Sequence, residues 1–126
     1  MTRDTVAQLL THLRNAALSK RHDAAVPQSK LNERILSVMK SEGIILSYRL
    51  EEERRQYLVA LGLQSLPFVQ VSRPGARRYL GWRSLRKFAQ GGFLLVSTPQ
   101  GVMTAKTAYD RKLGGEVLAR LRRELV

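Results

Sequence analysis

Near Gly43 the spacing of apolar residues changes, and with it the kind of structure the chain can form. Before it, apolar side chains recur every three or four residues. After it, they come in short runs with β-branched members, separated by turn residues. Val6, Leu9, Leu10, Leu13 and Ala17 make one helical stripe, which Thr2 or Asp4 would cap. Leu31, Ile35, Val38 and Met39 make a second, with Ser29 as N-cap after Pro27 and Gly43 as the stop. Residues 19–28 read as a connection too long for a helix-turn-helix joint.

The remainder reads as strands and short helices. Residues 44–50 and 57–61 form a hairpin pair joined by the charged stretch 51–56, a solvated turn rather than an acidic site. Residues 67–72 and 77–80 flank a turn at Arg73-Pro74-Gly75. Residues 82–90 suit one short helix stopped by Gly91-Gly92, followed by a buried strand at 93–96 and a loop at 97–101. Residues 104–112 suit a helix begun by Thr104 and ended by Gly114-Gly115. Val117, Ala119 and Leu121 then line one face of a last strand, before the polar Arg122-Arg123-Glu124. The expected fold class is α+β in two small lobes. Residues 1–66 make a helix/sheet lobe, and residues 67–126 a mainly β lobe with short helices.

Charge points to the partner. Lys and Arg number 22 against 10 Asp and Glu, a formal net charge of +12. Residues 1–66 carry 10 basic and 7 acidic side chains, net +3, whereas residues 67–126 carry 12 and 3, net +9. Such an excess concentrates polyanions, which marks nucleic acid and places the main footprint in the second half. A membrane is not the expected polyanion, since no apolar run approaches spanning length. The first residues lack the apolar core of a secretory signal, and none is expected.

Catalysis finds no constellation to act through. The chain has no Cys, which excludes disulfides and thiolate metal sites. His12 and His22 have no nucleophile or carboxylate arranged beside them and are too few to hold a metal. Gly91-Gly92 precedes a strand rather than opening a helix, so it is no phosphate cradle. The expectation is a protein that is not an enzyme, with no cofactor, no metal and no small-molecule substrate.

The strongest local signal is Ser97-Thr98-Pro99-Gln100-Gly101-Val102-Met103-Thr104, with Gly115-Glu116-Val117-Leu118 after it. Adjacent hydroxyls and a Gly make a low loop able to approach the wide, shallow minor groove of an RNA duplex. Taken by spacing alone, an ordinary Ser/Thr turn closing a hairpin is the better fit. This stretch resembles the signature of the small-subunit ribosomal protein eight family, Ser-Thr-Ser-x-Gly-Val-Met-Thr and then Gly-Gly-Glu-Val-Leu. Asp4-Thr5-Val6-Ala7, Leu13-Arg14-Asn15-Ala16, Val26-Pro27 with Ser29-Lys30-Leu31, and Ser41-Glu42-Gly43-Ile44 match the family's opening pattern in order. Ser72-Arg73-Pro74-Gly75 is similar to its central Ser-Lys-Pro-Gly, so the resemblance spans nearly the whole chain.

The resemblance implies a two-lobe protein that binds the central domain of small-subunit ribosomal RNA early in assembly, beside neighbouring ribosomal proteins. It implies RNA-facing roles for Ser97, Thr98 and Gly101 with Glu116 behind them, and for Arg14, Asn15, Ser29 and Lys30 in the first half. A free-standing regulator that binds a messenger RNA structure with the same fold is the alternative. The densest basic tract holds Arg73, Arg77, Arg78, Arg83 and Arg86 with Tyr79 and Trp82 interleaved. Phosphate contact is expected for Arg73, Arg77 and Arg78, and a core position for Trp82. Pro99 replaces a family Ser, removing a hydroxyl and an N–H, and Ala105 and Thr107 replace a usual acidic pair. The segment between Gly43 and Ser72 is short for the family, and the run from Ala89 to Phe93 is one residue short. These departures and the preference for Arg point to an organellar, mitochondrial ribosome, with a plastid or bacterial origin as the alternatives.

Overall fold

The first apolar stripe becomes helix α1, Thr5–Leu18. It buries Val6, Leu9, Leu10, Leu13 and Ala16, so the stripe closes on Ala16, and Ala17 is only half-buried. The structure is a computed structural model that describes residues 5–61, 68–73, 75–89 and 93–121. The proposed caps Thr2 and Asp4, the Gly91-Gly92 stop and the tail at 122–124 lie outside the described residues. The chain divides into two compact units, Met1–Leu66 and Pro67–Val126.

In the first unit α1 is followed by strand β1, Asp23–Pro27, where the sequence suggested only a connection. Its Ala24 and Val26 are buried in strict alternation, but two alanines and a terminal proline carry little strand signal. Helix α2, Lys30–Ser41, begins as expected, with the Ser29 hydroxyl accepting from the Asn32 N–H at 3.0 Å. It buries Asn32, Ile35, Leu36 and Met39, while Leu31 and Val38 are half-buried. Asn32 is a polar residue inside the stripe because its amide Nδ2 donates to the Pro27 carbonyl at 2.8 Å, tying the helix to the end of β1. Strands β2, Ser47–Glu51, and β3, Gln56–Ala60, form the expected hairpin, and β3 is the centre of an antiparallel sheet ordered β1-β3-β2. Tyr57 of β3 is buried and donates from Oη to Glu33 at 3.3 Å. Burial, then the charge of Glu33, hold its phenol above the ordinary range.

The second unit is built on β8, Gly115–Leu121, which pairs antiparallel with β4 (Phe68–Gln70), β5 (Tyr79–Leu80) and β6 (Phe93–Thr98). Strand β7, Gly101–Thr104, completes the sheet on the far side of β6. Thus β4 and β5 do not form a hairpin with each other. Both lie along β8, and residues 72–78 loop out between them.

Four further expectations are corrected. Residues 82–90 are not one helix but a 3-10 turn, Trp82–Leu85, running into the single helical turn α3, Arg86–Ala89. Ser97, Thr98 and Gly101 belong to strands, leaving only Pro99-Gln100 as the turn. Val117 and Ala119 do not share a face. Val117 faces Val96 while Ala119 faces Leu95, so Leu118 is the extra residue of a bulge, and all three are buried. Helix α4, Ala105–Asp110, starts where expected, with Thr104 capping the Thr107 N–H. Leu85, Leu94, Val96, Met103, Ala105, Ala108 and Val117 form the core between helices and sheet. Trp82 is not in it; its side chain is half-buried against Tyr109.

Candidate RNA interface

Strand register puts four residues in one row across the second sheet. Tyr79 pairs with Glu116, Glu116 with Ser97, and Ser97 with Val102. Directly paired residues share a face, and the neighbouring row, Val96 with Met103 and Val117, is the core side. The row therefore faces away from the core, and Tyr79 is 67% exposed. Glu116 accepts a charge-assisted bond from Arg77 Nη1 at 3.0 Å, which holds that arginine over the row.

Two glycines and a buried serine make this arrangement fit. A Cβ at Gly115 would collide with the Ser97 carbonyl, so only glycine lets β8 start this close to β6. The Ser72 hydroxyl accepts from the Arg78 N–H at 2.8 Å and donates to the Arg78 carbonyl at 3.3 Å. Arg73 and Ala76 exchange backbone bonds inside that closure, around Gly75 at φ +79°. The basic loop is thus a stapled excursion that leaves Arg73, Arg77 and Arg78 exposed. The sequence drew attention to the arginines. It held no sign that Ser72 fastens them or that Tyr79 joins the row.

At the hairpin tip, Thr98 is buried and its hydroxyl is engaged within the protein. It donates to the Gly101 carbonyl at 2.8 Å and accepts from the Gln100 N–H at 3.1 Å. Gly101, at φ +120°, returns the chain into β7, and Pro99 occupies a first turn position where no N–H is needed. Ser97 and Gly101 are half-buried.

The first unit holds the other four expected residues. Arg14 and Asn15 are exposed on α1, and Lys30 is exposed at the first turn of α2. Ser29 is half-buried and occupied as the cap. Asn15 borders an open groove of about 550 Å³ together with His12, Arg21, Pro27, Arg54 and Arg55. Among the described residues, no group of three or more His, Asp or Glu could hold a metal ion, and no helix is long and apolar enough to cross a membrane.

A row of hydroxyl, carboxylate and phenol beside a stapled arginine loop offers donors and acceptors to ribose and positive charge to phosphate. The ribosomal protein S8 family profile matches residues 4–121. The chain belongs to the ribosomal protein S8 family. Its relatives include small ribosomal subunit protein uS8 of Porphyromonas gingivalis, 38% identical over 91% of this chain and 95% of that protein. The uS8 of Solibacter usitatus is 35% identical over 96% of this chain and 99% of its own length. That of Wolbachia pipientis is 38% identical over 94% and 96%. The S8 family is structural and non-enzymatic, so membership supplies the reason this chain is not an enzyme. These relatives are bacterial, and they give no support to the mitochondrial origin expected above.

Proposed function

We propose that this chain is a structural component of the small ribosomal subunit that binds the central domain of small-subunit ribosomal RNA and supports subunit assembly beside neighbouring ribosomal proteins. The observation that carries the reading is the Tyr79–Glu116–Ser97 row with Arg77 fixed across it. An RNA minor groove presents 2′-hydroxyls that donate and accept, and Glu116 and Ser97 are the short partners for them. Arg73, Arg77 and Arg78 neutralise the flanking phosphates, while Gly101 and Thr98 keep the hairpin tip low enough to enter the groove. In the first unit, Arg14, Asn15, Ser29 and Lys30 make the second RNA-facing region.

The test is a crosslinking map on intact small subunits, joined to sedimentation after a moderate salt wash. The chain should remain with the subunit, and crosslinks from residues 77–79 and 97–101 should fall in the central domain. A chain that washes into a free pool, crosslinked instead to a messenger RNA structure, overturns the reading in favour of a regulator.

A further inference from the structure

Three helices end in the same way, and only one does so with the residue that geometry prefers. After α2, Gly43 donates to the Lys40 carbonyl and Ile44 to that of Met39, with Gly43 at φ +75°. The same pair of bonds closes α1 around Lys20 and α4 around Lys112, each at φ 57°. This left-handed closing position strongly favours glycine, because a Cβ there crowds the backbone. Lysine at Lys112 is therefore a costly choice for folding, and its location suggests what it does.

Lys112 Nζ lies 5.9 Å from the centre of the Trp82 ring, and the Arg83 guanidinium carbon lies 5.3 Å from the same ring. The ring is half-buried against Tyr109, with centroids 5.7 Å apart. Gly114 makes the meeting possible. A Cβ there would lie 2.6 Å from the Leu80 carbonyl oxygen and 3.0 Å from the Trp82 nitrogen, so the start of the 3-10 turn rests directly on the end of α4. Among the described residues, neither Arg83 nor Lys112 has a carboxylate partner, and the indole N–H of Trp82 has no acceptor. Two cations and a free N–H gathered on one aromatic ring, in a unit of net charge +9, lack only an anion. Cation–π attraction preorganises the cations and lowers the entropic cost of fixing them on a ligand.

We propose that Trp82, Arg83 and Lys112 form a second phosphate-binding station for RNA. It stands where Gly114, just before β8, meets Leu80 of β5 and Trp82, on elements packed against the core side of the sheet rather than in the outward-facing row; it rests on the RNA-binding reading. The occupant is a backbone phosphate of the bound RNA, seated against the indole edge between the two charges.

Trp82 is the only tryptophan, so its fluorescence reports on this station alone. A central-domain fragment of small-subunit ribosomal RNA should quench or shift that emission as it binds the full chain, with filter binding followed in parallel. Lys112→Gly should raise the melting temperature by relaxing the backbone, yet weaken RNA binding and lower the salt slope by about one. Combined with Arg83→Ala, it should cost roughly tenfold in affinity and reduce the slope by about two. Lys20→Gly makes the same exchange at the end of α1 and should stabilise alike without altering the emission response. Binding by filter with no change in Trp82 emission, or equal losses from Lys20→Gly and Lys112→Gly, overturns the station while leaving the RNA-binding reading intact. Unchanged RNA affinity with poorer incorporation into subunits assigns the cluster to an acidic protein neighbour and also overturns it. No binding of the fragment by the parent chain removes both.

Discussion

A threonine hydroxyl has one proton to donate and two lone pairs to accept with, and Thr98 has already used the proton on the Gly101 carbonyl and one lone pair on the Gln100 N–H. What remains for RNA is a single acceptor site. Thr98 is thus first a residue that shapes the hairpin. Replacing it with Val removes both of these part-buried internal bonds, at a cost of about 1–3 kcal/mol in the stability of the second unit. Thr98→Val should lower both the urea midpoint and the affinity for the central-domain fragment, and Thr98→Ser should restore both. Loss of affinity at an unchanged midpoint would instead make the hydroxyl a direct RNA ligand. The sequence could single out Ser97, Thr98 and Gly101 as unusual. It could not tell which hydroxyl turns inward, because that depends on pairing partners in β7 and β8 that lie several to twenty residues away.

Elements were readable where their end signals are local, and unreadable where they depend on a distant partner. Ser29, the apolar stripe and Gly43 defined α2 almost to the residue, because capping and the left-handed stop are short-range chemistry. Strand β1 was missed because it is held by register with β3, thirty or so residues on, rather than by its own composition. The bulge at Leu118 was likewise invisible, since it exists only against Leu95 and Val96. Ser29 now carries two assignments, cap and RNA contact, which substitution can separate. Ser29→Ala removes the cap and should cost about 1 kcal/mol in the first unit. Ser29→Asp keeps a cap and suits the positive end of the helix, so stability should hold. Its added charge should nevertheless weaken cognate RNA binding several-fold if α2 begins at the interface. Parental affinity for Ser29→Asp, measured at fixed salt, would take the start of α2 out of the interface.

On the scale of the whole molecule, the charge difference between the units was legible from composition, +3 against +9, whereas the pairing that tunes it was not. Arg77 sits 3.0 Å from Glu116 and so screens that carboxylate, which would repel phosphate, and in the proposed function it also meets phosphate itself. Two consequences follow for the full chain. First, Arg77→Ala with Arg78→Ala should weaken binding to cognate and unrelated RNA alike and flatten the salt dependence by about two, one for each phosphate left without its arginine. The matched pair in the less basic unit, Arg54→Ala with Arg55→Ala, should flatten it less. Equal effects from the two pairs would mean that the footprint covers both units evenly. Second, Arg77→Ala alone should cost more than Arg78→Ala, because it also bares Glu116 to the RNA. Adding Glu116→Gln to Arg77→Ala should then recover affinity for unrelated RNA, where only the repulsion matters. For the cognate fragment the recovery should be smaller, since the amide accepts from a 2′-hydroxyl less strongly than the carboxylate. Filter binding of both RNAs across a salt series reads all of these together. If Glu116→Gln restored cognate binding fully, Glu116 would serve only to position Arg77, and the reading of ribose would rest on Ser97.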